Sequence, residues 1–383
     1  MPATPVLIHV QHLLGIGHLK RAAAIARAIA AEGFDVTLVS GGLPTSIDVG
    51  GARFVQLEPV RAADQSFSHL VDVRGRPIDE VFKARRRDQL LDALHAVRPR
   101  VLITEMFPFG RRQLRFELIP LIEAACAATR RPLILSSVRD ILVEKRNPER
   151  TREMAALART HYDRVLVHGD DTLVPFGASF PLADTIADLI AYTGYVASGS
   201  SLPAPVGEGA GEIIVSAGGG AVGARLIEAA LDAHAGGDAR LRRLSWRVLA
   251  GSSVDATTLA AWQARAGSRM IVERERADFP SLLRRAALSV SQAGYNTVMD
   301  ILAAEVRSML VPFAAGHETE QSLRAAALER AGRAIVVPEP ALTPERLAKA
   351  IIRALDAPPP GPSHYRLDGA HATARLVASL VQA

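Results

Sequence analysis

The stretch HVQHLLGIGHLKRAAAIARAIAAEGFDVTLVS, residues 9–40, sets two glycines and a histidine between a strand-like run and a clean helix. VLIHV (6–10) reads as a buried strand and QHLLGIGH (11–18) as a loop. Residues 19–32 carry the 3.6-residue period of a helix, Gly33 is its C-terminal cap, and FDVTLVS (34–40) is the next strand. Strand, Gly-rich loop, helix and strand together open a parallel α/β sheet.

Outward from that unit the pattern repeats. Further strands are predicted at RVLITE (100–105), PLILSS (132–137) and RVLVHG (164–169), with helices around 81–97 and 117–128. After YTGYV (192–196) comes ASGSSLPAPVGEGAG (197–211), rich in Gly, Ser and Pro and poor in bulky apolar residues, which reads as a linker. The pattern then restarts with strand EIIVSA (212–217), loop GGGAVG (218–223) and a helix over 224–234. It continues through strands WRVLAG (246–251), MIVER (270–274), LSVSQ (288–292), SMLVPF (308–313) and AIVVP (334–338), with helices over 256–266, 279–287, 296–304, 319–331 and 344–355. A break at APPPGPS (357–363) precedes a last helix. The expected fold is α/β, with two Rossmann-like doubly wound domains. Their limits are 1–196 and 212–358, with 197–211 as linker and 359–383 as a tail helix.

Composition narrows the function classes. The 383 residues are 49% hydrophobic and 22% charged, which suits two globular cores. The formal charge is +5, but basic and acidic residues are interspersed, unlike a nucleic-acid-binding arm, so no nucleic-acid partner is expected. Cys126 is the only cysteine, which rules out an internal disulfide or a multi-Cys metal site and points to a reducing cytoplasm. The N-terminus does not read as a signal peptide, and no run approaches the roughly 20 apolar residues of a spanning helix, so any membrane contact is peripheral.

A glycine-rich strand-to-helix turn brings backbone N–H groups to an anion, with the helix N-terminus adding its field; Gly15 and Gly17 occupy such a turn. The dinucleotide fingerprint G-x-G-x-x-G fails, because Lys20 stands third after Gly17, and no phosphate-binding G-x-x-x-x-G-K-[ST] occurs. His18 begins the first helix. An imidazole there suits a general base working near neutral pH; it equally suits a helix cap or a bond to a loop carbonyl.

The second half carries SVSQAGYNTVMDILAAEVRSMLVPFAAGHETEQSLRAAALERAG (289–332). This resembles the C-terminal domain of the glycosyltransferase family that includes the lipid-linked GlcNAc transferase of peptidoglycan synthesis. Shared are a strand leading into Ala-Gly-x-x-Thr, a helix bearing an acid, a strand ending in Val-Pro, a loop with a Gln, and a helix ending in Ala-Gly. IIVSAGGGAVGA (213–224) and GIGHLKR (15–21) resemble the family's Gly-rich loops. HLLGIGHLKR, TEMFPFGRRQLRFELIPLIEAA, SSVRDIL and YTGYV resemble a bacterial branch of predicted glycosyltransferases.

The resemblance implies a GT-B fold, its two domains facing across a cleft, with the donor on the second and the acceptor on the first. It implies that Asp300, where the family usually has Glu, accepts hydrogen bonds from a ribose, and that Gly294, Asn296 and Thr297 form a phosphate-binding turn. Asp300 is otherwise an acid favoured by the helix dipole, and Asn296 an ordinary cap. Gly218, Gly219 and Gly220 would cradle the diphosphate, Glu320 and Gln321 would hold the sugar hydroxyls, and His317 and the backbone of 272–279 would lie near the donor. By composition alone, Glu320 and Gln321 are exposed first-turn residues. His18 would face the anomeric carbon, as base or as support for the leaving diphosphate.

The implied reaction is inverting transfer from a nucleotide-sugar, a UDP-sugar being expected, to an acceptor hydroxyl, with no metal and no cofactor. HGDDT (168–172) reads as a polar loop and not a metal cluster. A nucleotide-sugar hydrolase, with Arg21 in its Gly-x-Gly-His-x-x-Arg element, and a non-catalytic sugar-nucleotide binder are the alternatives. Phe107, Phe109 and Phe116 beside Arg111, Arg112 and Arg115 in segment 106–116 suit contact with an anionic membrane at the inner face or with a phosphorylated acceptor, or else a buried core whose arginines form a solvated face or intramolecular ion pairs. Arg139 and Asp140 end a strand and either face the cleft or pair with neighbours.

Overall fold

In the computed structural model the described residues are 3–13, 15–63, 69–143, 147–197, 202–217, 223–236, 238–314 and 319–382. Two compact units divide the chain: residues 1–196 with 366–383, and residues 197–365.

The first unit runs β1 (Pro5–Val10), α1 (Gly17–Ala31), β2 (Asp35–Ser40), β3 (Arg53–Gln56), a hairpin of β4 (Arg61–Ala62) and β5 (Leu70–Val71), and α2 (Glu80–Val97). It continues through β6 (Val101–Glu105), α3 (Arg115–Ala127), β7 (Leu133–Arg139), α4 (Pro148–His161), β8 (Arg164–His168) and β9 (Ile190–Tyr192). The sheet order is β3-β2-β1-β6-β7-β8-β9, all parallel. Val6 pairs with Val36 on one side and Val101 on the other, so the direction of winding reverses between β1 and β6. Helices cover both faces, which is why the strands read as continuous apolar runs. Leu19, Ile25 and Ile29 of α1 fill one face, while Leu90 of α2 and Leu118 and Leu121 of α3 fill the other. Gly33, at φ +88°, ends α1 as expected.

The second unit contains β10 (Ile213–Ser216), α5 (Ala224–Gly236), α6 (Ala239–Arg243), β11 (Trp246–Ala250), α7 (Ala256–Arg265), β12 (Met270–Arg274) and α8 (Phe279–Leu283). Then come β13 (Leu288–Ser291), α9 (Tyr295–Ala304), β14 (Ser308–Leu310), α10 (Glu320–Arg330), β15 (Ile335–Val336) and α11 (Pro344–Asp356). Its parallel sheet has the order β12-β11-β10-β13-β14-β15, the 3-2-1-4-5-6 winding of a doubly wound domain. Trp246, Val248, Leu347 and Ile351 lie in its core.

Two boundaries differ from expectation. The closing helix α12 (Gly369–Gln382) is not a separate tail: Ala374 and Val377 are fully buried in the same cluster as Ile25 and Ile29 of α1. Nor is the described part of the linker a loose connector. Ser281 Oγ donates to Leu202 O at 2.7 Å, Arg285 Nη1 to Pro205 O at 2.9 Å, and Gly211 N to Arg285 O at 3.0 Å, which fixes the segment onto the second unit. Likewise the Pro-rich break is held by Arg333, whose Nη2 donates to Pro362 O at 2.7 Å.

Candidate functional site

In open α/β sheets ligands gather outside the carboxyl ends of the strands where winding reverses. In the first unit that place is the end of β1 and β6. α1 starts there, with Ile16 as an N-cap that makes no side-chain bond and with no acid in the first turn, so its leading amides keep their partial positive charge. A Cβ at Gly15 would meet nothing within 4 Å, leaving open space in front of the helix.

His18, the second residue of α1, has Nδ1 2.6 Å from Oε1 of Glu105, the last residue of β6. Glu105 is 1% exposed and His18 16%. Arg21, one turn along α1, also bonds Glu105 Oε1, and Arg111 Nη2 lies 3.8 Å from Oε2. Arg139, which ends β7, has Nη2 2.8 Å from His18 Nε2.

These contacts fix the tautomer. A guanidinium only donates, so His18 Nε2 accepts from Arg139; Nδ1 lies 3.3 Å from the donor Arg21 Nη2 but only 2.6 Å from the Glu105 carboxylate, which can only accept, so the closer contact puts the proton on Nδ1. Burial is the largest influence on His18, and with Arg111 and Arg139 it outweighs Glu105, bringing the imidazole down to about 3. Burial alone would raise Glu105; the bond from His18 and the charges of Arg21 and Arg111 reverse this and hold the carboxyl below its usual range. The site is a neutral histidine oriented by an ionised carboxylate.

Glu105 has no role legible in the sequence, and neither the basic segment around Arg111 nor the strand end at Arg139 reveals their convergence on His18. The available signal was an acid ending an otherwise apolar strand at the reversal of winding. Segment 106–116 corrects the membrane expectation: Phe107 and Phe109 are each 1% exposed, and Phe109 packs edge-on against Phe176 and Phe180 at 5.5 and 5.1 Å. Phe116 is partly buried against the core, and Arg112 and Arg115 pair with Glu153 at 3.3 Å and more closely. The segment thus offers no exposed aromatic face for a membrane surface. Among the described residues, no helix is long and apolar enough to cross a membrane.

In the second unit the reversal lies between β10 and β13. Gly218, Gly219, Gly220 and His317 fall outside the described residues. α9 begins after Gly294, its N-cap, with no side-chain cap bond and no acid in its first turn. Gly294 therefore occupies the position at which Asn296 had been weighed as an ordinary cap. A Cβ at Gly294 would meet nothing within 4 Å. Asn296 and Thr297 are half-buried on the first turn, whereas Asp300 is 9% exposed and sits beyond that turn, so it is not a first-turn dipole acid.

Glu320 starts α10 but is only 5% exposed, because Arg324 Nη2 bonds its Oε1 at 2.9 Å. Arg324 is itself fully buried and reaches Ala293 O at 2.8 Å. Gln321 Oε1 accepts from Ala293 N at 3.0 Å and Phe313 N at 3.1 Å, joining the segments that follow β13 and β14. The expectation that both side chains are simply exposed does not hold: an ion pair draws Glu320 inward, and two backbone donors fix Gln321.

HGDDT is a polar loop: buried His168 lies 2.8 Å from both Ser137 Oγ and Thr193 Oγ1, and Asp170 accepts from Thr172. Among the described residues no three His, Cys, Asp or Glu side chains are grouped to hold a metal ion.

Residues 214–361 match the model of the glycosyltransferase family 28 C-terminal domain. The UDP-N-acetylglucosamine–N-acetylmuramyl-(pentapeptide) pyrophosphoryl-undecaprenol N-acetylglucosamine transferase of Methylorubrum extorquens (strain PA1) is 33% identical over 81 residues, 21% of this chain and 22% of that one. The transferase of the same name from Gloeobacter violaceus is 39% identical over 77 residues, 20% and 22%. The matches thus span about a fifth of these curated relatives. Among solved structures, a calicheamicin glycosyltransferase aligns over 98% of this chain and 94% of its own, with TM-score 0.62 and 16% identity. MurG of Acinetobacter baumannii aligns over 99% of each chain, with TM-score 0.58 and 15% identity.

The chain has the GT-B fold of these glycosyltransferases. Its second unit carries a glycosyltransferase family 28 C-terminal domain related to that of the MurG-type GlcNAc transferases.

Proposed function

We propose that the protein is a glycosyltransferase that moves a sugar from a nucleotide-sugar, a UDP-sugar in our reading, to an acceptor hydroxyl with inversion. The observation that carries this reading is His18 Nδ1 held 2.6 Å from Glu105 at the reversal point of a chain whose second unit matches a glycosyltransferase domain. Glu105 orients the ring and stabilises the imidazolium formed when Nε2 takes the acceptor's proton. The acceptor oxygen bonds to the anomeric carbon as the bond to the diphosphate breaks with its electron pair, so one displacement inverts that carbon. The uncapped start of α9, with Gly294, Asn296 and Thr297, and Gly218, Gly219 and Gly220 take the departing diphosphate's charge through backbone amides, a role that calls for no metal. Asp300 holds the ribose; Gln321 and Glu320 position the loops that face the sugar. Cys126, 3.8 Å from His161 and unbridged, suits a reducing cytoplasm.

A thermal-shift screen against UDP, GDP, CDP, dTDP and their common sugars tests this. One selective nucleotide-sugar is expected, with His18→Ala keeping its affinity while turnover falls on the order of 10²–10⁴-fold. No shift with any nucleotide at millimolar concentration overturns the donor assignment, and rapid acceptor-free release of sugar reassigns the protein as a hydrolase.

A further inference from the structure

The nitrogen of His18 that must take the acceptor's proton is covered. Arg139 Nη2 donates to Nε2 at 2.8 Å, and the other ring nitrogen is committed to Glu105 at 2.6 Å. A base in this state is idle. Its lone pair is occupied, and a permanent positive charge stands where the proton should arrive; a guanidinium does not relieve this by deprotonating.

Beside it stands Arg111, held at φ +59° in the left-handed region. Its Nη2 is 3.8 Å from Glu105 Oε2, beyond hydrogen-bond reach. Neither Nη2 nor Nε of Arg111 has a hydrogen-bond partner among the described residues. Buried donors left without acceptors are costly, so this arrangement favours an incoming oxyanion. Burial first, then Arg139 and Arg21, outweigh the attraction of Glu105 and bring Arg111 down to about 10, and a second anion would relieve that crowding. The leading amides of α1, with no side-chain cap and no acid in the helix's own first turn, favour negative charge at the same place. An oxyanion here also competes with the neutral imidazole for Arg139, since it adds to the hydrogen bond an ion–ion attraction that a neutral acceptor lacks.

We infer that Arg139 is a positioning residue that decides when His18 acts: it masks Nε2 until an oxyanion group of the acceptor, held by Arg111, draws it away. The inference rests on the glycosyl-transfer reading above. With acceptor bound, its hydroxyl proton passes to the uncovered Nε2, the oxygen bonds to the anomeric carbon, and the diphosphate leaves with the electron pair of the broken bond. Without it, water meets a covered base, and the nucleotide-sugar is spared from hydrolysis.

The test has two arms. In the first, His18 is titrated by histidine-selective NMR in the wild-type protein and in Arg139→Gln, with Glu105, Arg21 and Arg111 unchanged around it. Removing the facing charge is expected to raise the His18 pKa by about one unit or more. Inorganic phosphate added to the wild type is expected to shift the Nε2 signal, whereas a nucleoside diphosphate alone does not. An unmoved pKa in Arg139→Gln overturns the masking, and a nucleoside diphosphate that alone produces the phosphate effect transfers the oxyanion role to the donor and overturns the acceptor assignment.

In the second arm, acceptor-free release of sugar from the nucleotide-sugar found in the screen is expected to be about tenfold faster in Arg139→Gln than in the wild type, as an uncovered base permits. Arg139→Lys, which keeps the charge, is expected to stay near the wild-type rate. Equal release in all three proteins overturns the proposal. If no nucleotide binds, the transferase reading fails by itself, and the titration still decides whether Arg139 masks His18. Should Arg139→Gln not fold, Arg139→Lys and the phosphate titration of the wild type decide it.

Discussion

Glu105 Oε1 lies 2.6 Å from His18 Nδ1, although 87 residues separate the two in the chain. The pair exists because β1 and β6 are neighbours in the sheet and end side by side.

Glu105→Gln keeps the shape but removes the charge that orients the ring. Turnover is expected to fall on the order of 10²–10⁴-fold with donor affinity retained. Arg21 and Arg111 lose their buried countercharge, at a cost of about 3–5 kcal/mol in stability. Steady-state kinetics with isothermal titration of the donor, beside urea denaturation, separates the two effects.

Acid should weaken the fold before the carboxylates titrate. His9 and His168, 1% and 0% exposed, are each brought down to about 3, by burial first and then by Arg86 and Arg21 respectively. Unfolded histidine binds its proton near 6.5, so between there and 3 the unfolded state holds more protons and stability falls with falling pH. Two such residues imply a loss of about 3–4 kcal/mol between pH 7 and 5. His18, partly exposed, adds a smaller share. Glu117, raised by burial, has the opposite sign: its contribution is present below the unfolded carboxylate pKa and is lost as pH rises through its own folded value, so it offsets part of the acid loss at the lower end of the window. Urea midpoints at pH 7, 6 and 5 check the slope, and His168→Gln should remove about half of it.

Gln321→Ala leaves the amides of Ala293 and Phe313 without their acceptor. The expected cost is about 1–3 kcal/mol, with weaker donor binding because the segments after β13 and β14 separate. Gln321→Glu still accepts from both and should keep most of the stability. Chemical denaturation and nucleotide titration of both variants measure this.

Gly369 opens α12 against Tyr195, whose carbonyl accepts its N–H at 2.9 Å. A side chain there would collide with the Gly194 carbonyl oxygen and the Tyr195 backbone. Gly369→Ala should therefore destabilise the first unit by about 1–3 kcal/mol. Denaturation followed by a probe confined to that unit would show it.

Much of the fold was legible because buried parallel strands announce themselves. VLIHV, RVLITE and LSVSQ mark three strands to within a residue or two, and the Ala-rich runs between strands carry helical period. What escaped was short or polar. α4, PERTREMAALARTH, buries only Thr151, Met154, Ala155 and Ala158, and the four-residue β3 has no fully buried side chain. At the site, His18 drew notice because histidines at helix starts are chemically suggestive. Its pairing with Glu105, Arg111 and Arg139 did not, since they reach it only through strand order, which periodicity does not encode. The tail helix was misplaced for the same reason: amphipathic spacing says that a face is buried, not against what.

The chain leaves the first unit after Val196 and re-enters it at Arg366, and these two points are stitched together. Tyr195 N–H donates to Arg366 O at 2.7 Å, and Val196 bridges Asp368. Topologically, the second unit is an insertion between Val196 and Arg366 of the first, with its entry and exit held at one place. Residues 197–365 supply no strand of the seven-stranded sheet and neither member of the His18–Glu105 pair, so exchanging them for another insert leaves both in the chain. The architecture thus admits cassette evolution, in which one half diversifies while the other keeps its chemistry.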